Sequence, residues 1–159
     1  MASVLPRSTG VLLTCLVLGA QSCARAPVVV AREPLDIGPS GVVLAARGGL
    51  AAPGPRHEIT IELPPGYELA HNSLSELRGP HGETVVVRAF LVDRSGARWD
   101  FGRQGYSIGQ GMAIVFAMDR DSLPGRRIDR LELSANVPFK GQRILWWSGD
   151  PGSRCFSCM

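Results

Sequence analysis

His57-Glu58-Ile59-Thr60-Ile61-Glu62-Leu63 alternates strictly, with Ile59, Ile61 and Leu63 in one phase and Glu58, Thr60 and Glu62 in the other. Side chains on a strand alternate between its two faces, so this period of two predicts a half-buried β-strand with one face on a core. Pro64-Pro65-Gly66 ends it. Downstream, Thr84 to Val92 and Ala97 to Phe101 read as a hairpin turned by Asp93-Arg94-Ser95-Gly96, since Asp and Gly suit a tight turn. Val85, Val87, Ala89 and Leu91 share one face. Val86, Phe90 and Val92 share the other, interrupted by Arg88, and two largely apolar faces place this strand near the middle of a sheet.

Met112 to Met118 repeats the theme, with Met112, Ile114, Phe116 and Met118 opposite the smaller Ala113, Val115 and Ala117. A turn follows over Asp119-Arg120-Asp121-Ser122-Leu123-Pro124-Gly125, then Leu131, Leu133 and Ala135 alternate with Arg130, Glu132 and Ser134. Gln142 to Ser148 is the last expected strand. Leu74 to Arg78 fits a strand or one helical turn equally well. Short strands punctuated by Gly and Pro, without helical periodicity, predict an all-β fold: a small antiparallel β-sandwich, Ig-like or jelly-roll-like, of roughly seven to eight strands over residues 57–150.

Working back from His57, residues 23–56 carry Pro27, Pro34, Pro39, Pro53 and Pro55 and read as a linker. Val28-Val29-Val30 and Val42-Val43-Leu44 within it are apolar enough for edge strands. Ahead of the linker, Arg7 precedes the run Val11 to Ala20 and then small residues, the pattern of an export signal over residues 1–22 and too short a run to span a bilayer. Ala20-Gln21-Ser22-Cys23 resembles the bacterial lipoprotein signal, with Ala20 and Gln21 where that signal usually has leucine and a small residue. The resemblance implies that Cys23 is lipidated and becomes the new amino terminus, its acyl chains anchoring the protein to a membrane. Cleavage after Ala24 or Ala26, at Ser22-Cys23-Ala24 or Ala24-Arg25-Ala26, is the competing reading and gives a periplasmic or secreted protein. Either way the protein is expected outside the cytoplasm.

The chain has 159 residues, 45% of them apolar and 19% charged, which is the composition of one folded domain rather than of a disordered segment. A net charge of +3, scattered along the chain and almost all arginine beside the single Lys140, argues against a nucleic-acid partner. No cofactor is implied: no nucleophile elbow, His-Glu-x-x-His helix or phosphate-cradling loop is present, and Gly109-Gln110-Gly111 lacks a third glycine.

Two motifs invite a function. Neighbouring residues on a strand face opposite ways, so Trp146 and Trp147 cannot share one core: either Trp147 with Arg143 forms a candidate ligand-binding face for a glycan, a peptide or an envelope protein, or a sandwich edge or the amino-terminal segment covers Trp147. Cys155-Phe156-Ser157-Cys158 has redox-motif spacing without the helix that thioredoxin-like chemistry uses, so the expectation is a local disulfide between Cys155 and Cys158 or two loosely held thiols. No metal site is expected. His57, His71 and His81 show no ligand spacing, and Asp119 and Asp121 open a calcium-like loop that Leu123 and Pro124 break. The function these readings favour is non-enzymatic binding or scaffolding in the cell envelope, and the alternative is a small secreted or periplasmic hydrolase using one of the three histidines.

Overall fold

A strand whose two phases differ in polarity holds its register only when one face is covered, as in the strand carrying Leu131, Leu133 and Ala135, which are buried between less buried neighbours. The computed structural model describes residues 26–69, 77–108, 111–120 and 127–150; Cys23, His71, Asp121, Leu123, Pro124, Cys155 and Cys158 lie outside the described residues. Fourteen strands run through them: β1 (Val28–Ala31), β2 (Leu35–Ile37), β3 (Val42–Ala51), β4 (Arg56–Glu62), β5 (Glu68–Leu69), β6 (Leu77–Arg78), β7 (Thr84–Val85), β8 (Val87–Asp93), β9 (Arg98–Asp100), β10 (Arg103–Ile108), β11 (Met112–Asp119), β12 (Arg127–Ala135), β13 (Phe139–Gly141) and β14 (Arg143–Gly149). The described chain is all-β, and every strand pairing is antiparallel.

The main elements form a five-stranded sheet, β1-β14-β4-β11-β10, and a four-stranded sheet, β3-β12-β8-β9; β13-β2 and β5-β6-β7 are smaller ribbons. Both large sheets feed one core. Ile59 and Ile61 of β4, Ile114 and Phe116 of β11, Ile144 and Trp146 of β14, Leu91 of β8, and Leu131 and Leu133 of β12 all belong to it. Each such aliphatic side chain, removed from water, contributes about 1.5–3 kcal/mol.

The strand count is higher than the sequence patterning implies. β1 and β3 form at the two runs expected as edge strands, Val28–Val30 and Val42–Leu44, and lie at the edges of the two large sheets, whereas β2, β5, β10 and β13 lie where no strand is expected; β1, β2 and β3 pair with β14, β13 and β12. The single run expected over Thr84–Val92 breaks at Val86. Here the Asn136 carboxamide takes the place of a partner strand, accepting from Val86 N at 2.7 Å and donating to Thr84 O at 3.0 Å, while Val86 O accepts from Asn136 N at 3.1 Å. The expected hairpin forms as read. Asp93 N donates to Ala97 O and Gly96 N to Asp93 O, both at 3.0 Å, and Gly96 takes the left-handed conformation at φ 85° that closes a three-residue loop.

Candidate functional site

Register sets what sits beside what. β14 pairs with β4 so that Ser148 is opposite His57, and β11 pairs with β4 so that Met118 is opposite His57. His57 and Ser148 stand in phase with Ile59 and with Trp146, so two polar residues occupy core-face positions at the rim of the five-stranded sheet. Ser148 Oγ lies 3.0 Å from His57 Nδ1 and accepts a long 3.4 Å bond from Gly54 N. Which of the two groups donates is set by the imidazole tautomer, since the hydroxyl can donate to Nδ1 or accept from it. Among the described residues the buried Nε2 has no hydrogen-bond partner.

The imidazole stacks on Trp146 with ring centroids 5.7 Å apart, and Trp146 in turn meets Phe101 edge-on and donates Nε1 to Ala51 O at 2.9 Å. Burial holds His57 below the ordinary histidine pKa of 6.5. The Arg120 backbone and, more weakly, the Asp119 carboxylate favour the charged ring, and the Arg120 guanidinium adds to the lowering.

Beyond β11, Arg120 continues onto the same face and its N–H donates to Pro55 O. Its guanidinium lies 3.3 Å from the centroid of Trp99, on the edge strand of the other sheet, and Trp99 Nε1 donates to Asp93 Oδ2 at 3.4 Å. A cation–π contact thus ties the two sheets together at the rim. The Asp93 carboxylate also accepts from Ser95 N, Ser95 Oγ and Ala97 N, which lowers its pKa below the usual aspartate value, the Ser95 hydroxyl contributing most.

The pair expected to face a ligand lies on the opposite side of the same sheet. Arg143 is exposed, and its Nε and Nη2 fork onto the two Glu62 carboxylate oxygens across the strand pair, which raises its pKa. Trp147 shares that side but keeps only 4% of its surface exposed, as does Glu58, its cross-strand neighbour, whose Oε1 accepts from Arg56 Nε at 2.8 Å. Leu145 lies between Arg143 and Trp147, which the strand rise separates by about 13 Å. In this state the exposed part of that patch is the Arg143–Glu62 pair, and the Trp147 ring offers little area to a ligand.

His81 stands at a turn where its backbone N–H donates to Glu83 Oε2 at 2.9 Å, remote in sequence and pairing from the rim cluster. Among the described residues no group of three or more His, Cys, Asp or Glu side chains is arranged to hold a metal ion. Ser148 and Arg120 carry no motif. The signal that could have found Ser148 is phase, a hydroxyl two residues beyond Trp146 on a face otherwise apolar. No family model matches this chain, and no curated protein or solved structure does so either. Its functional reading therefore rests on its own residues.

The His57–Ser148 contact has the 3.0 Å reach that a base and a nucleophile need. His57 is 0% and Ser148 4% exposed, so as folded the pair is enclosed in the rim, where it links β4 to β14.

Proposed function

We propose that this chain is an exported cell-envelope protein of β-sandwich architecture, held to a membrane through a lipidated Cys23 and acting as a binding or scaffolding module rather than an enzyme. The observation that carries the reading is the leader: an early arginine, the apolar run Val11 to Ala20, small residues and then Cys23, with the first sheet strand at Val28. The sandwich reading is supported by five-stranded and four-stranded antiparallel sheets that share one core.

The test is the intact mass and detergent-phase partitioning of the natively exported protein beside Cys23→Ala. Acyl mass and detergent-phase recovery of the native form, both lost in the variant, are the expected result. Two unmodified, soluble forms would remove the anchor from the proposal.

A second reading, a secreted hydrolase, draws on the His57–Ser148 contact alone. It requires the rim to open, and it predicts that a fluorophosphonate probe labels the native protein and not Ser148→Ala. Absence of labelling on the folded protein would retire it.

A further inference from the structure

We propose that Arg94 and Arg127 form a fork for a phosphate group, and that its occupant is the headgroup of an anionic phospholipid. Arg94 stands in the tip of the β8–β9 hairpin and Arg127 opens β12, and both are exposed. Arg94 Nη2 donates to Gly48 O at 3.0 Å and Arg127 Nη1 to the same oxygen at 2.8 Å, so the two nitrogens stand no more than about 6 Å apart. Two like charges converge on one neutral carbonyl. Among the described residues neither guanidinium has a carboxylate partner, because the neighbouring acids are engaged elsewhere: Asp93 in its hairpin, Asp129 with Arg130, and Glu132 with Arg98 and Arg130.

The arrangement is built into the backbone. Gly48 and Gly49 both take the left-handed conformation, at φ 82° and 79°, where β12 shifts register against β3 between Ile128 and Arg130. A carbonyl accepts through two lone pairs, and each guanidinium carries five donors in a planar fork that matches phosphate oxygens. Among the described residues most of the donors of this pair are therefore left for a ligand, and a phosphate bridging two guanidiniums would neutralise what Gly48 O cannot.

Position favours a headgroup as the source. β12 begins, β8 ends and β3 and β14 end at one rim of the two large sheets, where β4 also begins. β1 starts near it, with Val28 opposite Trp146, and packs against β3, the strand that carries Gly48. Cys23 precedes Val28 by five residues, a tether of at most about 18 Å when fully extended. A lipidated Cys23 would hold this rim within reach of the headgroups, where each arginine near an anionic surface strengthens binding. This inference rests on the anchor proposed above for its geometry, and its test does not.

The test uses the exported Cys23→Ala protein and vesicles of pure phosphatidylcholine or of phosphatidylcholine with phosphatidylglycerol. Binding is expected to the phosphatidylglycerol vesicles over the neutral ones, to weaken with salt, and to fall by about 10–30-fold in Arg94→Gln/Arg127→Gln. Arg88→Gln/Lys140→Gln removes the same two charges elsewhere on the surface and is expected to bind as before. Equal binding to both vesicles, or equal loss in both double variants, overturns the fork. Inorganic phosphate is the second arm: a melting temperature raised by phosphate through Arg94 and Arg127, without vesicle binding, overturns the headgroup and leaves a soluble phosphate ligand. The intact mass of the wild-type protein separates the two proposals. Acyl mass without composition-dependent binding keeps the anchor and removes the fork; an unmodified Cys23 with composition-dependent binding does the reverse.

Discussion

His57 and Ser148 show how a single polar residue behaves when register puts it on a core face. Each is in phase with large apolar neighbours, and neither is exposed enough to be solvated by bulk water, so they bond to each other. The cost falls on His57 Nε2, buried with no hydrogen-bond partner among the described residues. Because burial lowers the His57 pKa, the folded state holds the neutral ring while the unfolded chain takes up a proton below about pH 6.5. The contribution to stability is complete above that pH and is lost as the pH falls toward the native pKa. The melting temperature is therefore expected to drop between roughly pH 7.5 and pH 5.5. His57→Phe should reduce that drop, and parallel pH profiles of the two proteins would show that another group is responsible. At this scale the histidine was legible as a residue of interest, but its partner was not. Ser148 is ninety-one positions away, and only strand pairing brings it to 3.0 Å.

At the scale of the element, the strands that declare themselves are those with contrasting phases. β4, β11 and β14 begin and end within a residue or two of where the alternation of Ile59, Ile114 and Ile144 with their neighbours sets them. β10 went unread because Arg103-Gln104-Gly105-Tyr106-Ser107-Ile108 has no apolar alternation; pairing with β11 from Arg103↔Ala117 to Ile108↔Met112 makes it a strand. β3 runs on past the expected Val42–Leu44 through Gly48 and Gly49, whose left-handed backbone sits at the register shift against β12. A Cβ on Gly49 would stand 2.5 Å from the Ile128 carbonyl oxygen at a φ that disfavours side chains, whereas a Cβ on Gly48 would meet nothing within 4 Å. Gly48→Ala is expected to cost only its backbone strain, about 1 kcal/mol. Gly49→Ala should cost clearly more, on the order of 3 kcal/mol, since it adds a steric clash to the strain. Urea denaturation of the two variants measures the difference, and equal losses would show that the bulge relaxes freely.

For the whole molecule, one core joins the two large sheets, and Arg120 on Trp99 closes them at the rim. A single cooperative unit follows, so urea unfolding read by tryptophan fluorescence and by far-ultraviolet circular dichroism should give coincident transitions, and separated midpoints would mean that the sheets melt independently. What the sequence determined by itself was the strand class and the faces, since the sign of alternation along His57–Leu63 and Met112–Met118 depends only on local order, together with the hairpin at Asp93–Gly96. Tertiary structure alone decided the rest: the partners and register of β1 and β3, the recruitment of β2, and the convergence of Arg94 and Arg127 on Gly48 O. The reason is physical. A strand's faces follow from neighbours one and two positions away, whereas its partners and register are chosen by which long-range pairing best buries those faces, and no local pattern encodes that choice.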